Sequence, residues 1–195
     1  MKSAAHRSRF MLAPVAAVML LASSPSSAES QLPADLAAAK ASLAKYADPI
    51  VALQNGYYST LACVDFSSDV KEGDIVYPKG AMGVHLINTA NIGPTLDPEK
   101  PQILLYEPVG DKLVLTGAEW FMPVEVAGGN APSIFGKTLY GPMDGHEPIM
   151  PKAARHYDLH VWFYKENPSG IFISTNSAVK CPAGASYTHD LAKHH

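Results

Sequence analysis

From Cys63 onward, the apolar residues of this 195-residue chain alternate with other residues instead of recurring every third or fourth position. Period two means strands, because successive side chains on a strand point to opposite faces. Residues 82–88, 102–107, 112–122 and 157–165 read this way. Pro108-Val109-Gly110-Asp111 is a turn that folds the second and third segments into a hairpin, and Gly117 marks a bulge in the third. Asn167-Pro168-Ser169-Gly170 is a further turn, followed by a short strand at Ile171-Phe172-Ile173. Residues 123–156 carry few strand signals and many Pro and Gly, so they read as a long functional or wrapping loop.

Ahead of this body the period is helical. Leu36, Ala39, Leu43 and Tyr46 recur at spacings of three or four in an Ala-rich stretch, predicting a helix over 33–54. Asp48-Pro49 is an N-cap and first-turn pair, so the helix breaks and restarts there, and Asn55-Gly56 ends it. The expected architecture is one α+β domain: a helical cover packed on a mainly antiparallel sheet or small barrel.

The first 28 residues stand outside that domain. Lys2, Arg7 and Arg9 precede an apolar stretch from Phe10 to Ala22, and Ser26-Ser27-Ala28 offers small residues for cleavage before Glu29. This is the three-part pattern of a secretory signal. The apolar stretch is too short to span a ~30 Å hydrocarbon core, and no stable membrane span is expected after cleavage. Its removal takes three basic residues and no acid, so the net charge moves from -3 to -6. An acidic chain without a basic stripe is a poor nucleic-acid binder. The remaining 167 residues hold 28 Pro and Gly, a turn-rich composition that disfavours a helix bundle. They also hold two cysteines, Cys63 and Cys181, which in an oxidising compartment are expected to form a disulfide.

The candidate chemistry is carried by polar residues inside apolar strands. Glu119 lies in Thr116-Gly117-Ala118-Glu119-Trp120-Phe121, where an unpaired charge is costly, and Glu107 ends the run Ile103-Leu104-Leu105-Tyr106. His85 and His160 occupy comparable strand positions. Two imidazoles and two carboxylates suit Zn, Fe, Mn or Cu rather than Ca. His146, in Gly145-His146-Glu147, is a further candidate ligand from the loop. His156, Asp158, His160 and Trp162 share a strand face, but His156 and His160 are ~13 Å apart at their Cα atoms at ~3.3 Å per residue. His160 is therefore the better ligand of the two. Asp158 is placed to orient a ring N–H, and Trp162 to line a small apolar pocket. Met82, Met122, Met143 and Met150 raise copper as an option, though core filling explains four methionines equally well. No nucleophile elbow, phosphate loop or haem-attachment motif is present.

Several of these segments resemble stretches of exported bacterial proteins of unassigned function. They are Gly80-Ala81-Met82-Gly83-Val84-His85-Leu86-Ile87-Asn88, Leu104-Leu105-Tyr106-Glu107, Gly145-His146-Glu147-Pro148 and His156-Tyr157-Asp158-Leu159-His160-Val161-Trp162. The resemblance implies export and a single folding unit, and it brings no activity with it. Two readings stand on the residues alone. One is an exported protein that handles a transition metal or uses it on a small molecule. The other is a metal-free small-ligand or structural module of the cell envelope, with the same groups in a buried hydrogen-bond network.

Overall fold

The computed structural model describes residues 32–146 and 150–183, and the backbone of Ser186–Thr188. The expected signal, His189 and the terminal His194-His195 lie outside the described residues.

The helical cover forms in three pieces. Helix α1 spans Ala34–Leu43, a 3₁₀ turn follows at Ala44–Ala47, and α2 spans Pro49–Gln54. The break falls where the sequence places it: the Asp48 side chain caps α2 by accepting from the Ile50 N–H at 2.9 Å, and Pro49 opens the helix. Gly56 leaves the helix at φ 88°.

The strands are β1 (Tyr58–Phe66), β2 (Val70–Glu72), β3 (Ile75–Tyr77), β4 (Gly80–Ile87), β5 (Ile103–Val109), β6 (Lys112–Pro123), β7 (Ser133–Ile134), β8 (Lys137–Thr138), β9 (Tyr140–Met143), β10 (His156–Val161) and β11 (Ser186–Thr188). A one-turn helix α3, Val124–Ala127, follows β6. The main sheet runs β11-β1-β4-β5-β6-β10-β9. Its six strands from β1 to β9 pair antiparallel and curl into a half-barrel, and β11 adds in parallel at the β1 edge. β2 and β3 form a separate hairpin, as do β7 and β8.

Four sequence expectations change. β1 is a strand that the periodicity does not predict. Its alternation is interrupted where Leu61, 88% exposed, takes φ 63° between two stretches of different register. The strand expected over 157–165 stops at Val161, where the Trp162 N–H turns to the Ile171 carbonyl. Ile171-Phe172-Ile173 is turn rather than strand. The stretch expected as loop over 123–156 contains α3, the β7–β8 hairpin and β9, which extends the sheet at β10.

One face of the sheet packs under the helices. Leu36, Ala39, Leu43, Tyr46 and Ala52 meet Val84 and Leu86 of β4, Leu104 and Tyr106 of β5, Ala118 and Trp120 of β6, and Leu159 and Val161 of β10. Each buried side chain of this kind contributes roughly 1.5–3 kcal/mol. The sheet also bonds directly to the cover, through Tyr106 Oη donating to the Tyr46 carbonyl at 2.6 Å and Tyr164 Oη donating to the Lys40 carbonyl. The Cys63–Cys181 disulfide joins β1 to the C-terminal segment across 118 residues. Closing so long a loop removes on the order of 4–5 kcal/mol of unfolded-state entropy.

Candidate metal centre

The residues left over by that alternation point to the other face. His85 and Ile87 of β4, Ile103 of β5, Glu119 of β6, and His156, Asp158 and His160 of β10 line one cavity of about 50 Å³. That is room for an ion with a few waters. Val64, Met82 and Met150 complete the wall.

Register brings three of these groups together. Glu119 stands directly opposite His160 on one side and Ile103 on the other, and β5 pairs Leu105 with His85. His85 Nε2 lies 3.5 Å and His160 Nε2 3.3 Å from the same oxygen, Glu119 Oε2. One ligand atom from each residue falls within 4.8 Å of the other two. His85, Glu119 and His160 are 8%, 4% and 1% exposed.

Buried polar atoms ordinarily find partners. Here Glu119 Oε2, His85 Nδ1 and both ring nitrogens of His160 have no hydrogen-bond partner among the described residues. Such a concentration of orphaned donors and acceptors is costly for a protein alone. It is what a cation would satisfy. Two imidazoles and a carboxylate are the donor set of first-row divalent ions, and Ca prefers all-oxygen sites.

Electrostatics favours the ligating protonation states. Burial pushes the His160 imidazole down to about 4, against the pull of Glu119. Burial would raise the Glu119 carboxyl, but His160 and His85 beside it outweigh that and hold it at about 2. At neutral pH the set is therefore a carboxylate with a neutral His160. Burial also pushes His156 down, and it drives the Asp158 carboxyl well above its usual range, reinforced by the nearby Glu119 and Glu72.

The row continues past the three. Asp158 Oδ1 lies 3.9 Å from His160 Nδ1, and Asp158 Oδ2 lies 3.8 Å from His156 Nε2. The His156 ring is 5.6 Å from that of His146, whose Nε2 lies 3.8 Å from Glu72 Oε2. Gly145 makes the His146 position possible, because a Cβ there would sit 1.9 Å from the Pro151 carbonyl oxygen. The loop is pinned by Gly145 N–H to the Lys152 carbonyl and Met150 N–H to the His146 carbonyl.

Of the residues expected from sequence, His85, Glu119 and His160 converge. His146 and His156 reach the same cavity beyond Asp158, not the three-residue group. Asp158 lies within ion-pair range of His160 Nδ1 but makes no hydrogen bond to that ring. Trp162 does not line the cavity: it is buried beside the His160 ring, 6.3 Å away, with its Nε1 donating to the Ile173 carbonyl. Glu107 is not part of the centre. It shares a face with Ile103, the residue opposite Glu119, but lies four residues along, ~13 Å. Lys165 Nζ and the Lys180 N–H occupy its oxygens instead. Cys63 and Cys181 are bridged as expected. Glu72 is a neighbour of the centre that the sequence reading misses. Its signal is the alternating Val70-Lys71-Glu72-Gly73-Asp74-Ile75-Val76-Tyr77, a hairpin pattern with Gly at the turn.

Among the described residues, no helix is long and apolar enough to cross a membrane. No protein-family model, curated protein or solved structure matches the chain.

Proposed function

We propose that this is an exported metal-binding protein in which His85, Glu119 and His160 hold a divalent transition-metal ion. The reading rests above all on one observation: three buried ligand groups from three strands meet within 4.8 Å while several of their polar atoms lack hydrogen-bond partners among the described residues. Export is supported by the basic and apolar N-terminal segment and by the disulfide, a bond of oxidising compartments. The resemblance to exported bacterial proteins points the same way. A metal held by three protein groups keeps coordination positions for water or a small molecule, the condition for metal-assisted chemistry. The residues of this chain then set the ion's charge balance, position the two rings and exclude bulk solvent.

The test is metal analysis of the exported chain, purified without an affinity tag and with His194-His195 removed, so that adventitious binding to a terminal His pair is not counted. Stoichiometric metal is expected, with one ion per chain lost in His85→Ala and in His160→Ala. Binding weakens as pH falls, because imidazole must be deprotonated to ligate. Protein that stays metal-free after incubation with Zn, Cu, Mn and Fe salts sinks the proposal and leaves the metal-free module.

A further inference from the structure

One ion between His85, Glu119 and His160 leaves half of the cavity unexplained. Asp158 is 2% exposed, and its Oδ1 has no hydrogen-bond partner among the described residues. Its closest imidazole nitrogens stand at 3.8 and 3.9 Å, beyond hydrogen-bonding reach.

The tautomer of His156 sharpens this. Its Nδ1 lies 3.1 Å from the Ala154 carbonyl, which can only accept, so Nδ1 carries the proton. In the neutral ring, Nε2 is then a bare lone pair, and it faces Asp158 Oδ2 at 3.8 Å. At that separation no hydrogen bond joins the two atoms. A backbone carbonyl accepting from one ring N–H fixes the tautomer and leaves the other nitrogen free to ligate, as in metal-bound histidines. His146 adds a third donor from across the cavity, its ring 5.6 Å from that of His156, with the Glu72 carboxylate beyond it. Glu72, Glu119 and Asp158 concentrate three carboxylates in one region.

We propose that the cavity is a two-ion centre, with a second divalent cation held by His156 Nε2, Asp158 and His146 beside the ion on His85, Glu119 and His160. The proposal rests on the first site's being a metal site and deepens that reading. It predicts small oxyanions or water as the species acted on, since two neighbouring cations clamp an oxygen ligand between them.

The experiment is a Zn²⁺ count per chain, by elemental analysis after gel filtration, on the exported chain lacking only His194-His195. Wild type is expected to hold two ions. His156→Ala and Asp158→Asn each drop the count to one, and His85→Ala also drops it to one by emptying the other site. His146→Ala, on a partly exposed loop, perturbs folding least and is expected to weaken only the second ion; far-UV circular dichroism checks the fold of every variant. A wild-type count of one overturns the second site, whichever variant lowers it, and leaves the first reading standing. So does a count of two that His156→Ala and Asp158→Asn both leave unchanged. A wild-type count of zero overturns both readings.

Discussion

Glu107 and Glu119 stand on the two arms of one hairpin, 6% and 4% exposed. Glu107 receives the Lys165 ammonium and the Lys180 N–H, so both of its oxygens are engaged. Glu119 is crowded by two imidazoles and still keeps an oxygen without a hydrogen bond among the described residues. Sequence alone says that each buried carboxylate needs a partner. It does not say which, because Lys165 follows the point where the strand expected over 157–165 leaves the sheet, and Lys180 belongs to a C-terminal segment without periodic signal. The two residues should therefore respond oppositely. Lys165→Met leaves Glu107 Oε2 unsatisfied and should lower stability by about 1–3 kcal/mol, read from urea unfolding, with metal content unchanged. Glu119→Gln keeps shape and volume but removes the charge, and should abolish the first bound ion. Metal loss in Lys165→Met, or retention in Glu119→Gln, would overturn this division of roles.

The strands that carry the centre are legible in the sequence because their alternation is regular where it matters. β4, β6 and β10 each put apolar residues on the helix side and at least one His, Glu or Asp on the cavity side, while β5 is apolar on both from Ile103 to Tyr106. What is not legible lies where the backbone departs from two-residue periodicity. β1 hides behind Leu61, and β9 behind the Pro- and Gly-rich stretch that precedes β10. Glycine marks the close approaches. At Gly117, beside the bulge of β6, a Cβ would sit 2.4 Å from the Val161 carbonyl oxygen on β10. That contact is one residue from His160 and two from Glu119. Gly117→Ala should push β10 off β6, cost about 2 kcal/mol or more, and disperse the ligands. Gly110, in the hairpin turn of the same sheet, has φ 61°, but a methyl group there would meet no heavy atom within 4 Å. Gly110→Ala should cost about 1 kcal/mol in backbone strain and leave metal content intact. Thermal unfolding and metal analysis of the pair separate a contact requirement from a conformational one, and equal metal loss in both would refute the assignment.

Across the whole molecule, four tyrosines spend their hydroxyls on internal partners, and two of them, Tyr106 and Tyr164, bond to the helical cover. Tyr57 donates to the Pro101 carbonyl, Tyr106 to the Tyr46 carbonyl, Tyr164 to the Lys40 carbonyl and Tyr77 to the Met143 sulfur. Burial raises all four phenols above their ordinary value near 10, with Tyr164 at about 12, and Tyr77 is raised further by Asp158, Glu72 and Glu119. A raised phenol means the folded chain keeps a proton that the unfolded chain has released. Where the folded state binds more protons, stability falls as pH rises. These groups should therefore leave stability level up to about pH 10 and erode it progressively above. Urea unfolding at stepped alkaline pH measures the loss, and ultraviolet phenolate absorbance reports ionisation. The expected titration has one set of tyrosines ionising near pH 10 and a second set that ionises only as the fold opens, Tyr106 and Tyr164 as the cover separates from the sheet. If every tyrosine ionises near pH 10 with the fold intact, those phenols do not hold cover and sheet together. The depth of the metal centre would then have to come from the strands alone.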